Sequence, residues 1–252
     1  MADTGALGGP SDRIRAVIFD IGGVVVKSPF VAVAEYEREH GLPDNFINVA
    51  LMKRGAAGAF QQYERGEISH AEFVRQWTDE LNEVAANNEA YRGYLRRRGH
   101  EGRVELPRET RIDGAELFAR MMAVTQTPND CVVELIHWLR RRGYRVAALT
   151  NNFKDGAQAG NMEELFAGLF DEIVESAVVG LRKPDPRFYL LACSRLGIQP
   201  SEAAFLDDIR SNLRAASRLG MATVRVEIGK EHDAVDAVKR LVAARGAFAT
   251  KL

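Results

Sequence analysis

The feature that most constrains the fold of this chain is a series of short apolar runs separated by helical patterns. Five runs have the length and composition of buried strands: residues 14–20, 144–150, 172–179, 203–208 and 222–227. Strands that are buried on both faces and separated by helices of about ten to fifteen residues form βαβ units. The alternation therefore predicts an α/β fold, a Rossmann-like doubly wound parallel sheet covered by helices.

Two of the intervening helices have recognisable ends. Thr127 is a predicted N-cap, Pro128 occupies the first helical position, and Gly143 ends that helix. The same arrangement predicts a second helix that begins after Asp185 and ends at Gly197.

The stretch from residue 28 to residue 110 differs in kind, because it is rich in Glu, Arg, Ala and Gln and contains no convincing strand. Its apolar residues recur at helical spacing: Phe60, Tyr63, Phe73, Val74, Trp77 and Leu81. We predict a helical cap domain over residues 28–110, inserted after the first strand. The core domain then consists of residues 14–27 and 111–252, and residues 1–13 form a disordered leader.

The charge balance excludes some classes of partner. The chain has 34 Lys and Arg against 35 Asp and Glu, so no global field draws it to nucleic acid or to an anionic membrane. Cys131 and Cys193 lack metal-binding spacing and fit a reducing compartment. The C-terminal Thr250-Lys251-Leu252 loosely resembles a peroxisomal address with Thr in place of Ser, and our expectation is the cytoplasm. The sequence leaves the oligomeric state open.

Polar side chains follow the predicted strands. They are Asp20, Thr150-Asn151 and Asp207-Asp208, with Lys183 just before a helix. Each has a plainer interpretation as a turn former or helix cap. The acidic residues are harder to explain in this way, because neighbouring carboxylates repel unless a cation or protons neutralise them. Ligands at the carboxyl ends of parallel strands converge on one edge, and this oxygen-rich set suits Mg²⁺.

Four segments in this order resemble the motifs of the haloacid dehalogenase (HAD) superfamily: "FDIGGVV", "ALTNN", "GLRKPDPRFY" and "FLDDIRSN". Most members of that superfamily are magnesium-dependent phosphohydrolases. The resemblance covers about residues 14–227, and the helical insertion matches the family's cap domain. The segments "FQQYERGEIS" and "RKPDPRFY" are also similar to the phosphatase domain at the N-terminus of soluble epoxide hydrolases and its stand-alone relatives.

The resemblance implies a nucleophile and a metal site. Asp20 would attack phosphorus and form an aspartyl phosphate. The carboxylates of Asp20 and Asp208 and the backbone carbonyl of Gly22 would bind Mg²⁺. We expect Asp207 to lie in the layer behind these ligands.

The resemblance also implies a phosphate-binding set. Thr150 Oγ, the backbone N–H of Asn151 and the ammonium of Lys183 would bind the phosphate oxygens that are not transferred. Lys183 would in addition neutralise Asp20 against the incoming dianion. The cap would exclude water and choose the substrate, and we expect three residues to make its contacts: Arg54, Glu64 and Arg65.

One position departs from the family pattern. Phosphatases of the superfamily carry a second Asp two residues after the nucleophile, where this chain has Gly22. A general acid worth roughly 10²- to 10⁴-fold in rate is therefore missing. Members with Asp-x-Gly at this place nevertheless resemble active sugar-phosphate phosphatases. We expect a phosphatase for a small phosphorylated metabolite; the alternatives are a metal-free dehalogenase and a catalytically silent binding protein.

Overall fold

A five-stranded parallel sheet lies at the centre of the computed structural model, which describes residues 14–100, 102, 104–153, 166 and 168–246. The strands are β1 (Ala16–Phe19), β2 (Arg145–Thr150), β3 (Glu172–Glu175), β4 (Ala203–Asp207) and β5 (Ala222–Arg225). Their order is β3-β2-β1-β4-β5, and every pair is parallel. The predicted doubly wound α/β sheet is confirmed. The predicted leader and Thr250-Lys251-Leu252 lie outside the described residues.

Helices occupy the connections between the strands. Between β1 and β2 lie α1 (Phe30–Glu39), α2 (Phe46–Lys53), α3 (Ala59–Glu64), α4 (His70–Leu81), α5 (Val84–Arg97), α6 (Gly114–Val124) and α7 (Asp130–Arg141). Later in the chain follow α8 (Ser176–Val179), α9 (Pro186–Leu196), α10 (Arg210–Arg218) and α11 (Glu231–Gly246). Single 3₁₀ turns cover Gly55–Ala57 and Pro200–Glu202. None of the helices within the described ranges combines the length and the apolar character needed to cross a membrane.

The sheet has an apolar layer on each face, because successive strand residues point to opposite sides. Val17 and Phe19 of β1 pack with α7 and α11, through residues such as Leu135, Ile136 and Val238. Ile18 of the same strand packs on the other face with α9 and α10. That second layer includes Phe188, Tyr189, Phe205 and Leu213. The central strands β2, β1 and β4 are thus buried almost throughout, as their continuous apolar sequences predict. The edge strands β3 and β5 depart from this prediction, because Ile173 and Thr223 are exposed.

The inserted helices build a second apolar core of their own, rich in aromatic rings. It contains Tyr36, Phe60, Tyr63, Phe73, Trp77 and Leu81, together with Leu117, Phe118 and Met121 from α6. Helix α6 packs chiefly on α1 and α4. On this packing we propose that the helical unit, called the cap below, extends through α6 and therefore beyond residue 110.

The predicted strand over residues 172–179 is wrong in its second half. β3 ends at Glu175, and Ser176–Val179 form the short helix α8. Gly180, with φ of +70°, ends this helix in the left-handed conformation. A short apolar run does not by itself distinguish a strand from a buried helical turn, so the sequence pattern was ambiguous here.

The predicted start of α7 at Thr127 and Pro128 is also wrong. The backbone N–H of Lys27 donates to Thr127 O (2.9 Å), and Pro128 bridges to Val26. These residues therefore pair with the loop after β1, and α7 begins only after its N-cap, Asn129.

Helix α9, in contrast, begins and ends as predicted. The Asp185 side chain accepts a hydrogen bond from the backbone N–H of Arg187 (2.9 Å), and Pro186 takes the first helical position. Gly197 ends the helix with φ of +62°. This helix fixes the position of the residues just before it, which include Lys183.

Candidate active site

The centre of the site is a buried ion-pair cluster around Lys183. Its Nζ lies 2.6 Å from Asp20 Oδ1 and 3.0 Å from Asp207 Oδ2, and the side chain is 1% exposed. An ammonium held away from water in this way must be paired to be tolerated. The structure therefore brings the predicted nucleophile, the predicted phosphate-binding lysine and one predicted acidic residue into direct contact.

The strand order explains why these residues meet. β1 and β4 are neighbours at the point where the order of the strands reverses, which is where ligands bind in doubly wound sheets. The backbone N–H of Asp20 donates to Leu206 O (2.9 Å), so the ladder continues to the end of both strands. Asp20 and Asp207 consequently leave the sheet side by side.

Asn151, which follows β2, holds the loop that carries Lys183. Its Oδ1 accepts from the backbone N–H of Lys183 (2.8 Å), and its Nδ2 donates to Lys183 O (3.2 Å). Thr150, the last residue of β2, is buried at the same edge of the sheet. The two residues predicted from the "ALTNN" segment thus lie beside the end of β1, which Asp20 follows.

Asp207 has donors on both of its oxygens. The backbone N–H of Ile209 donates to Oδ1 (2.7 Å), while Asn212 Nδ2 lies 3.2 Å from Oδ1 and 3.0 Å from Oδ2. With Lys183 also on Oδ2, this carboxylate has no lone pair to spare for a further strong ligand. Asn212 is the last residue of the "FLDDIRSN" segment, and the sequence pattern assigns it no role. An amide one helical turn beyond an acidic strand end is the signal that could have identified it.

Asp208 presents the opposite situation. Its Oδ2 receives a long hydrogen bond from Ser28 Oγ (3.4 Å), and its buried Oδ1 has no hydrogen-bond partner among the described residues. Burial raises the pKa of this carboxyl to about 7. A buried polar atom without a partner is costly, so this oxygen is available to a ligand.

The three acidic residues form one cluster, in which Asp20 and Asp208 are the members with oxygens free for a metal ion. One carboxylate oxygen from each of Asp20, Asp207 and Asp208 lies within 4.8 Å of the others. Burial raises the pKa of Asp20 well above its usual value; Lys183 opposes this rise, and the other two carboxylates add to it. A hard divalent cation such as Mg²⁺ would stabilise the ionised forms, so the donor set fits this ion.

The two glycines after Asp20 have different structural roles. Gly23 has φ of +79°, and a Cβ at this position would lie 2.3 Å from Asp208 Oδ2. At Gly22 a Cβ would lie 3.4 Å from the nearest atom, Pro29 Cδ, which is an ordinary contact. Gly23 is therefore required for the close approach of Asp208, whereas the space at Gly22 accepts a Cβ.

Sequence reasoning missed the residue that fixes this loop. The buried side chain of Asn129 donates to Val24 O (2.8 Å) and Val26 O (3.2 Å). It satisfies backbone carbonyls of the turn that carries Gly22 and Gly23. Asn is typical of loops and helix caps, so nothing in the pattern around residue 129 distinguishes this role.

The three predicted cap contacts have different partners. Arg54 pairs with Glu83 (2.6 Å) and Arg65 with Glu67 (2.6 Å), both inside the cap. Only Glu64 reaches the core, where its buried carboxylate pairs with Arg182 (2.6 Å). Within the part of the chain that the structure describes, Arg54 and Arg65 therefore do not join the cap to the core, and their contact with the substrate stays a prediction.

A further contact between cap and core is aromatic and was not predicted. Phe153, which follows the "ALTNN" segment, stacks on Tyr63 with the ring centroids 4.8 Å apart. It also makes edge contacts with Phe60 (5.5 Å) and Phe118 (5.1 Å). The loop after β2 thus anchors the cap through a ring that the sequence showed only as one more apolar residue.

Comparison with known sequences identifies the family. The pattern of the haloacid dehalogenase-like hydrolases matches residues 14–220. The chain therefore belongs to the haloacid dehalogenase-like hydrolases, which confirms the resemblance seen in its four motifs.

Curated relatives extend this result. The chain is 32% identical over 213 residues to acyl-CoA dehydrogenase family member 10 of Mus musculus and 30% identical over 218 residues to bifunctional epoxide hydrolase 2 of Sus scrofa. Both alignments cover 84% of this chain, but it spans only 18% and 36% of those two proteins. Glyceraldehyde 3-phosphate phosphatase of Methanopyrus kandleri is 26% identical over 227 residues, which is 87% of each chain.

Solved structures share the fold. A HAD-like family hydrolase from Porphyromonas gingivalis superposes with a TM-score of 0.58 at 20% identity, over 91% of this chain and 98% of that one. A HAD family enzyme from Bacteroides thetaiotaomicron, in complex with magnesium and inorganic phosphate, gives a TM-score of 0.51 at 20% identity, over 86% and 96% of the two chains.

The glycine geometry leads to a matched pair of predictions. We expect Gly23→Ala to lower the free energy of unfolding by about 1–2 kcal/mol or more, because Ala resists positive φ and its Cβ displaces Asp208. Gly22→Ala is expected to change it by less than about 0.5 kcal/mol. Urea unfolding monitored by circular dichroism measures both. Equal stability of the two variants would contradict the assigned difference between these glycines.

Proposed function

We propose that this chain is a magnesium-dependent phosphohydrolase that acts on a small phosphorylated metabolite through an aspartyl phosphate. The observation that carries the proposal is the buried ammonium of Lys183 between Asp20 and Asp207, with the unpartnered oxygen of Asp208 beside it. An ammonium at this place reduces the repulsion between a carboxylate nucleophile and a phosphate dianion.

Asp20 is the proposed nucleophile. One of its oxygens forms a bond to phosphorus while the bond from phosphorus to the leaving-group oxygen breaks, and water then hydrolyses the acyl phosphate and restores the carboxylate. Oδ1 already accepts from Ile21 N–H (2.7 Å) and from Lys183 (2.6 Å). We therefore assign the attack to Oδ2.

Three groups are proposed to bind the phosphate oxygens that stay on phosphorus: Thr150 Oγ, the backbone N–H of Asn151 and Lys183 Nζ. The side chain of Asn151 already holds the main chain of Lys183, so its own contribution to phosphate binding is the backbone N–H. Fixed donors of this kind stabilise charge in the transition state without reorganising during the reaction.

Magnesium, when bound, would neutralise charge on the phosphoryl group and orient it for attack. We assign its protein ligands to Asp20, Asp208 and the backbone carbonyl of Gly22. Asp207 has donors on both oxygens, which supports the expectation that it lies behind the ligands and positions Lys183.

The relatives support a phosphorylated substrate. The Methanopyrus kandleri protein is a glyceraldehyde 3-phosphate phosphatase, and the Bacteroides thetaiotaomicron enzyme binds magnesium and inorganic phosphate. We propose no nucleic-acid or membrane partner, because the net charge of -1 provides no basic field, and we propose a cytoplasmic location.

Two other functions compete with this proposal. Metal-free dehalogenases also lack the second Asp, but without a cation the adjacent Asp207 and Asp208 would repel each other in a buried site. A catalytically silent binding protein is supported by Gly22 alone. The experiments below distinguish the three.

Metal dependence is the first test. We expect a chelator in excess to abolish hydrolysis of p-nitrophenyl phosphate and added Mg²⁺ to restore it, because Asp208 Oδ1 needs a cation as partner. Asp208→Asn is expected to raise the Mg²⁺ concentration required for half-maximal rate. Undiminished hydrolysis in excess chelator would favour the metal-free dehalogenase instead.

The nucleophile is the second test. Asp20→Asn is expected to lower kcat by about 10³-fold or more, because an amide does not attack phosphorus, with little change in the fold. Asp130→Asn, an exposed substitution on α7, is the control. Mass spectrometry after acid quenching is expected to detect a phosphorylated protein only for chains that retain Asp20. If the Asn variant hydrolysed substrate at the wild-type rate, Asp20 would not be the nucleophile.

The missing acid gives the third test. With Gly22 in place of a proton donor, more negative charge develops on the leaving group, so log(kcat/KM) is expected to fall steeply with leaving-group pKa. Gly22→Asp, whose Cβ has room beside Pro29, is expected to flatten this dependence and to recover up to about 10²- to 10⁴-fold for alkyl phosphates. A flat wild-type plot would show that another group already donates the proton.

A further inference from the structure

An ion pair with a buried carboxylate joins the cap to the segment before α9 that carries Lys183. Glu64, at the C-terminal end of α3, accepts from Arg182 Nε and lies 2.6 Å from its terminal guanidinium nitrogen. The side chains are 8% and 23% exposed. Arg182 directly precedes Lys183, so the cap contacts the chain one residue away from the ammonium that binds Asp20.

The main chain of Glu64 makes a second contact with the core. Ser176 Oγ donates to Glu64 O (2.5 Å) and accepts from the backbone N–H of Asn152 (2.9 Å). Asn152 follows Asn151, whose side chain holds the main chain of Lys183. Through its side chain and its carbonyl, Glu64 therefore reaches both segments that are proposed to bind phosphate.

The free-energy cost of burying an unpaired carboxylate favours one docked position of the cap over others. A carboxylate buried without a partner is strongly unfavourable, so the cap docks well only where Glu64 meets Arg182. When the cap moves away, water can solvate both groups. The aromatic contacts of Phe153 are less directional, so they favour docking without fixing its register as strictly.

We propose that Glu64 and Arg182 are positioning residues that set the docked position of the cap and, through it, the placement of Lys183. This inference rests on the proposed phosphatase function. Neither side chain touches the reacting atoms. Arg182 acts through the main chain that it shares with Lys183, and Glu64 acts through Arg182 and Ser176.

Glu64→Gln tests this role against a matched control in the same segment. Glu67→Gln removes the same charge from a pair of the same length, Arg65–Glu67 (2.6 Å), which lies wholly inside the cap. We expect Glu64→Gln to lower kcat/KM by about ten- to a hundredfold and Glu67→Gln to leave it within about twofold. Arg182→Gln should match Glu64→Gln, and the double variant should lose no more than either single variant, because the two residues act as one contact.

Three further measurements separate positioning from a purely structural role. Fluoroberyllate, which occupies the place of the phosphoryl group on Asp20, should bind Glu64→Gln more weakly in parallel with the loss of kcat/KM. Mg²⁺ affinity without phosphate should change much less than fluoroberyllate affinity, because Glu64 and Arg182 contact none of the three carboxylates directly and reach Asp20 only through Lys183. The slope of the leaving-group plot should also stay unchanged, since bond cleavage itself is not altered.

Several outcomes would overturn the inference. Unfolding at lower urea concentration with wild-type kinetics would make the pair structural only, and additive losses in the double variant would show that the residues act separately. If Glu64→Gln does not fold, Arg182→Lys, which keeps the charge but loses the planar guanidinium, is expected to show a smaller loss of the same kind; unchanged kinetics there would refute the role. Absence of wild-type phosphatase turnover would instead refute the proposed function.

Discussion

The buried ammonium of Lys183 is the interaction on which the rest of the site depends. Taking this charge out of water is unfavourable unless carboxylates surround it. Asp20 and Asp207 must therefore both lie within ion-pair distance of the ammonium. Neighbouring parallel strands place their carboxyl ends side by side. The reversal of strand order at β1 and β4 leaves the space beyond these ends open for a ligand. The topology of the sheet, the loop before α9 and the side chain of Asn151 all serve to hold this one group.

Short local signals made most of the core predictable. The buried strand that precedes Asp20, the strand that ends in Asp207 and the helix capped by Asp185 follow from hydrophobic runs and helix-end chemistry that act within a few residues. The wrong predictions concern segments whose structure depends on contacts with residues far away in the sequence. The pairing of Thr127 with Lys27 delays α7, and an apolar run after Glu175 turns into a helix. In the cap, the sequence could not show which of several charged residues would find its partner in the core.

The segment from Thr150 to Phe153 shows how closely the two units are interlocked. Thr150 completes β2, Asn151 binds the main chain of Lys183, Asn152 binds Ser176, and Phe153 enters the aromatic core of the cap. Four consecutive residues thus contact four different parts of the molecule. A displacement of the cap therefore shifts Phe153 and, through only three residues of main chain, the end of β2.

The difference between the two glycines after Asp20 has an evolutionary consequence. Two of the four glycine codons become aspartate codons through one base change, and a Cβ at position 22 meets only ordinary contacts with Pro29. At Gly23 the same substitution would place a Cβ against Asp208 on a backbone of positive φ, so it is strongly disfavoured. Position 22 therefore meets less steric resistance to substitution than position 23, so the first of the two glycines is the one more open to evolutionary change.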